Sequence, residues 1–231
     1  MFTSRFQRWV RTRAEAVVRG LARVGITPNQ VTVVGMVGTF IAAVLAGTGR
    51  LLLAGIVLAL VSTFDILDGA LARVIQRTGA FGAFLDSTID RYMEGAVFLG
   101  LAAYFLRLGP PARLNVLACV VALIGSFQVS YARARAQSLG YTCETGLFKR
   151  PERVVAIVTG LVLSGPLPWL LPVIVWLLAV ITNFTALQRI NEVWQQTHAA
   201  RRAEAQPAEA PSKEPEASRV VRAAGEPGRG G

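Results

Sequence analysis

Six apolar runs recur along this chain of 231 residues: Val31–Gly47, Leu51–Phe64, Ala96–Leu106, Leu114–Val129, Val154–Gly165 and Trp169–Phe184. Several approach the roughly 20 residues a helix needs to cross a bilayer core. Charged residues make up only 16% of the chain, where a soluble domain carries about a quarter, so much of the surface must face something other than water. A soluble helical bundle is disfavoured. The expected fold is all-α: a polytopic membrane protein of six transmembrane helices, preceded by an N-terminal amphipathic interfacial helix. Val154–Gly165 is short for a span and is counted as one because the topology requires it.

Local signals punctuate the runs. Thr27 suits an N-cap and Pro28 the first helical position, so the first span begins there. Thr48-Gly49-Arg50 permits a tight turn, and a second helix is expected from about Arg50 to Arg73, with a third from Phe81 to Leu106. Gly109-Pro110-Pro111 ends the third. A fourth runs from about Ala112 to Gln137, a fifth is opened by Arg150-Pro151-Glu152-Arg153, and a sixth, after the Pro166–Pro168 break, ends near Arg189. Three regions result: an amphipathic helix over 1–26, the six-helix domain over 27–190, and a disordered tail over 191–231 rich in Ala, Glu, Pro, Arg and Gly.

The net charge of +10 is unevenly placed. Arg5, Arg8, Arg11, Arg13, Arg19 and Arg23 crowd the first segment, while Phe6, Val10, Val17, Leu21 and Val24 recur at near-helical spacing. That pattern suits a helix lying on an anionic membrane surface; nucleic acid is not an expected partner. With the N-terminus cytoplasmic, six spans place Arg73, Arg77, Arg133, Arg135, Lys149, Arg150, Arg153 and Arg189 on the inner side, leaving Arg50, Arg107 and Arg113 outside. A multi-pass protein of the cell membrane is therefore expected, with both termini on the cytoplasmic side. Cys119 and Cys143 show no metal or disulfide spacing, and the single histidine, His198, lies beyond the last apolar run. A metal in the membrane part would have to be held by oxygen.

Four aspartates cluster between residues 65 and 90. Asp65 and Asp68 are spaced i, i+3 near the inner end of the second helix; Asp86 and Asp90 are spaced i, i+4 near the start of the third. Each spacing puts both carboxylates on one helix face, and the short connection lets the two faces converge. Carboxylates so placed would repel without cations, and charges at this depth normally mark function. An all-oxygen set suits Mg²⁺ or Mn²⁺, and two such ions can clamp both oxygens of a phosphoryl displacement. Solvated helix ends, a membrane scaffold, or a cation transporter are the competing readings. Gly69, Ala72, Gly79 and Gly82 let backbone approach a bulky ligand, and Arg73 lies one turn from Asp68, where a cation can hold phosphate.

Asp65, Asp68-Gly69, Ala72-Arg73, Gly82, Asp86 and Asp90 meet the pattern Asp-x2-Asp-Gly-x2-Ala-Arg-x8-Gly-x3-Asp-x3-Asp at all eight positions over 26 residues. The chain here resembles the CDP-alcohol phosphotransferase family, over roughly residues 1–190. The resemblance implies that Asp65, Asp68 and Asp86 bind one Mg²⁺ or Mn²⁺, and Asp65, Asp86 and Asp90 a second. Asp90 is implied as the general base. Asn29, Gln30, Val31, Thr32, Gly69, Arg73 and Gly79 are implied contacts of the CDP-lipid, CDP-diacylglycerol. The family often has Thr at the position of Gly79; here Thr78 stands one residue earlier. A homodimer is implied, with membrane lipids around it.

A second basic cluster bears on the acceptor: Arg133 and Arg135, then Arg150-Pro151-Glu152-Arg153, then Arg189. Guanidinium forks bind phosphate bidentately, although positive-inside anchoring also explains such residues. These segments are similar to those of prokaryotic phosphatidylinositol-phosphate synthases, in which Arg133, Arg135, Arg153 and Arg189 would line the acceptor-phosphate pocket. The position of Arg133 is commonly Lys there. The implied reaction transfers a phosphatidyl group to a phosphorylated polyol, inositol 1-phosphate, and releases CMP. Glycerol 3-phosphate, giving phosphatidylglycerophosphate, is the alternative acceptor.

Overall fold

The computed structural model describes residues 27–62, 80–146 and 150–205. Among them the chain is all-helical, with no strand. The first helix, α1 (Pro28–Gly47), starts with a capping box. Thr27 Oγ1 accepts from the Gln30 backbone N–H at 3.4 Å, and Gln30 Oε1 accepts from the Thr27 N–H at 2.9 Å. Two of the donors left over at a helix start are thereby satisfied. Gly49, at φ 87°, supplies the left-handed residue that turns the chain into α2 (Leu51–Ser62).

Next comes α3 (Ala80–Arg107), then a 3₁₀ turn at Pro110–Ala112 and α4 (Arg113–Ser138). A loop over residues 139–146 precedes α5 (Arg150–Leu163), and α6 (Leu170–Ala205) completes the described chain. Helix α1 packs on α3, α3 on α4, α4 on α6, and α5 on α6.

Glycines set the closest approaches. A Cβ on Gly100 would collide with the backbone of Ala43, and one on Gly55 would lie 2.7 Å from Val162. Such small residues let helix backbones meet where lipid offers no hydrophobic drive to association. Asn183 Nδ2 donates across to Val121 O at 2.9 Å, tying α6 to α4. Phe98, Leu101 and Phe105 fill the centre with Leu171, Val175 and Leu178. Outward lie Val44, Leu60, Leu99, Val120 and Val180, all exposed. Among the described residues, three helical stretches are long and apolar enough to cross a membrane: Asn29–Gly47, Pro110–Ser138 and Leu170–Ala199.

Two expectations need correction. The last helix does not end near Arg189, nor does the chain lose structure at 191, because α6 continues to Ala205. No Gly or Pro interrupts residues 191–205, which are rich in helix formers such as Ala, Gln, Glu and Arg. The extension is also anchored: Gln196 Oε1 accepts from the Thr142 N–H at 3.2 Å, and its Nε2 donates to Thr142 O at 2.7 Å. The fifth helix opens at Arg150, as expected, with Pro151 in its first turn, where a missing N–H costs nothing. The N-terminal amphipathic helix and residues 206–231 lie outside the described residues.

Candidate functional site

Helix α3 carries its acids on one stripe. Asp86 and Asp90 are one turn apart, and Glu94 continues the series by another turn. Asp86 is exposed, whereas the Asp90 side chain is 16% and the Glu94 side chain 10% exposed. The start of α5 supplies the opposing charges. Arg150 Nη2 lies 2.7 Å from Asp90 Oδ1, and Arg153 Nη2 lies 3.0 Å from Glu94 Oε1. Arg91 sits between them, 3.7 Å from Asp90 Oδ2 and 3.7 Å from Glu94 Oε2.

Arg153 is 3% exposed, deep for a guanidinium. Removing one partner of so buried a pair typically costs about 3–5 kcal/mol. With Arg150, Glu94, Thr39 and Ser62 it lines a cavity of about 40 Å³. Arg91, Arg150 and Arg189 are near enough to act on Arg153 electrostatically.

The other sequence-derived residues divide. Asn29 reaches the beginning of α3, where a Cβ placed on Gly82 would be 3.4 Å from Asn29 Oδ1. Val31 and Thr32 are buried, and the Gln30 side chain is engaged in the cap of α1. Arg189 is buried, donating from Nε to Thr145 O at 2.9 Å and from Nη1 to Val129 O. It is thus engaged with backbone carbonyls. Arg133 is half-exposed and 3.8 Å from Glu144. Arg135, exposed and 3.4 Å from Ser138 Oγ, lines with Arg189 a different space, an open groove of about 490 Å³ between α4 and α6 beside Tyr131 and Leu187. Asp65, Asp68, Gly69, Arg73 and Gly79 lie outside the described residues.

Arg91, Arg150 and Glu94 were not among the candidates. Arg150 was visible within a basic cluster, but nothing in the sequence disclosed its partner. Glu94 could have been found by extending the i, i+4 series one step past Asp90. Chemically, two hard carboxylates on one face, one of them largely enclosed, fit the oxygen preference of a small divalent cation. The adjoining guanidiniums suit a phosphate.

Residues 25–187 match the family described as CDP-alcohol phosphatidyltransferase, the one to which the motif pointed. The phosphatidylinositol phosphate synthase of Mycobacterium tuberculosis (strain ATCC 25618 / H37Rv) is 39% identical over 183 residues, covering 77% of this chain and 84% of that protein. A crystal structure of Mycobacterium tuberculosis phosphatidylinositol phosphate synthase with CDP-DAG bound aligns with a TM-score of 0.72 at 38% identity. The alignment covers 78% of this chain and 93% of that one. The structure of the same enzyme in complex with manganese and citrate aligns with a TM-score of 0.73 at 38% identity, over 78% and 88% of the two chains.

Proposed function

The chain belongs to the CDP-alcohol phosphatidyltransferase family, and on that premise we propose that it transfers a phosphatidyl group from CDP-diacylglycerol to inositol 1-phosphate, releasing CMP. The observation that carries the reading is the Asp90–Arg150 contact at 2.7 Å beside buried Arg153. It sets an acid able to take a proton next to cations able to hold a phosphorylated alcohol. The named relatives support the acceptor and the lipid. Glycerol 3-phosphate, the alternative from sequence, has no comparable support.

Asp65, Asp68, Asp86 and Asp90 would hold two divalent cations, Mg²⁺ or Mn²⁺; a solved relative in complex with manganese favours such a metal. When bound, the cations neutralise charge on the pyrophosphate that breaks. The protein's own groups do the rest. Asn29–Thr32, at the start of α1 and next to Gly82, contact the CDP head group along with Gly69, Arg73 and Gly79. Arg153 and Arg150 draw in the acceptor phosphate, and Arg133, Arg135 and Arg189, engaged elsewhere on α4 and α6, would add to the field that attracts it. Asp90 accepts the proton of the acceptor hydroxyl, whose oxygen then bonds to the lipid-linked phosphorus as the bond to CMP breaks. Positioning of this kind supplies much of the acceleration in phosphoryl transfer.

The remaining architecture follows the sequence reading: six spans, the termini and the site on the cytoplasmic face of the membrane, and a homodimer. The described α5 is 14 residues long and ends in a turn, so as a span it is shorter than the usual roughly 20 residues. A CMP-release assay with purified protein, CDP-diacylglycerol and Mg²⁺ tests the function. Release with inositol 1-phosphate, abolished by EDTA, is expected. Release only with glycerol 3-phosphate would discard the acceptor assignment, and no EDTA-sensitive release with either would discard the mechanism.

A further inference from the structure

The reaction just described uses two of the three acids on the α3 stripe and leaves Glu94 without a part. Glu94 holds Arg153 through a single nitrogen, Nη2, at 3.0 Å. The Nε and Nη1 atoms of Arg153 are buried and have no hydrogen-bond partner among the described residues, while the side chain lines the small cavity with Arg150, Thr39 and Ser62. About 40 Å³ suffices for roughly two or three waters or one compact polar group. Unmet donors on a buried cation are costly, and Arg91, Arg150 and Arg189 repel it further. Among the described residues Glu94 is the acid that holds it in place. Without that anchor Arg153 would turn away from these cations, because like charges repel strongly where water is scarce.

We propose that Glu94 is a positioning residue. It pins Arg153 by one edge and leaves Nε and Nη1 to receive the phosphate of the acceptor alcohol. This rests on the phosphorylated acceptor of the preceding section. Neutralising Glu94 has two opposing effects. Arg91, Arg150 and Arg153 face Asp90 and Glu94, so loss of one acid raises the net positive charge and by itself favours an anion. Release of Arg153 from its place removes donors from the phosphate. The second effect wins, because charge-assisted hydrogen bonds act at short range and need their donors in place. The extra charge is added where several guanidiniums already stand.

The test uses full-length wild type, Glu94→Gln and Glu94→Asp in detergent. Thermal-shift titrations with inorganic phosphate and with inositol 1-phosphate read binding without turnover; CMP release over both substrate concentrations reads kinetics. Glu94→Gln is expected to weaken phosphate binding and to raise the acceptor KM about tenfold or more. Its KM for CDP-diacylglycerol stays the same, and kcat at saturating acceptor stays within about threefold, since bound phosphate draws Arg153 back. Glu94→Asp recovers part of the loss. An unchanged or lower acceptor KM overturns the proposal, as does an equal loss toward both substrates with a fallen Tm. Wild type that binds phosphate but uses a different phosphorylated alcohol would overturn only the acceptor assignment, and the comparison then holds on that alcohol. Wild type that neither binds phosphate nor uses any phosphorylated alcohol overturns both.

Discussion

The two halves of α3 are built on opposite principles. From Val97 to Phe105 the helix is held by shape: Phe98, Leu101 and Phe105 are at most 1% exposed and pack in the core where α3 meets α1 and α4. From Asp86 to Glu94 the same helix still packs Ile89 and Met93 against Val61, but its other face is governed by charge, each enclosed acid answered by a guanidinium. Apolar contacts are non-directional and tolerate exchange of one partner for another of similar volume. A buried ion pair adds little net stability but is costly to break. The apolar half therefore sets where α3 lies, and the charged half sets what can be bound at its end.

Substitutions in the two halves should separate these roles. The largest effect is expected from Asp90→Asn, which keeps size but removes the proton acceptor. Loss of about 10²–10⁴-fold in kcat is anticipated for a general base, with unaltered helical circular dichroism. CMP release within tenfold of wild type would remove Asp90 from the chemistry. Phe105→Ala should do the reverse, destabilising the fold by about 3–5 kcal/mol through the cavity it leaves. Thermal unfolding in detergent would show it, while KM for either substrate at low temperature holds. Altered KM with an unchanged Tm would mean the halves are not separable.

The smallest effect concerns Cys143, in the loop between α4 and α5, which is fully buried. Burial pushes its thiol above the ordinary range; Arg189 pulls the other way, and Glu192 adds to the rise. A thiol whose native pKa is raised stabilises the fold below its unfolded value, and that contribution is lost as pH rises toward the native one. At pH 8 the native thiol should therefore alkylate with iodoacetamide at least about tenfold more slowly than in unfolded chain. Equal rates would show that the loop opens independently of α6.

Much of this was legible before any coordinate. The capping signal at Thr27-Pro28, the turn at Gly49 and the break at Gly109-Pro110 all fall where the chain has them, because each depends on the backbone chemistry of a few adjacent residues. The pairing of Asp86 with Asp90 on one face follows from helical pitch alone. The length of α6 was missed. Its polar end resembles a disordered tail in composition, yet it is a good helix tied to the loop by Glu192 and Gln196.

What the sequence by itself determined, then, is local or compositional: which stretches are helical, which are apolar enough for lipid, where the acids recur, and the family motif. Tertiary structure alone decided the partners. Arg150 meets Asp90, Arg153 meets Glu94, and Arg189 is taken up by the carbonyls of Thr145 and Val129. These contacts join residues far apart in sequence, and each basic residue had several acids or carbonyls it could have reached. The choice was made by the packing of α3 against its neighbours, since a salt bridge has a short reach and forms only between groups that the apolar core has already brought together.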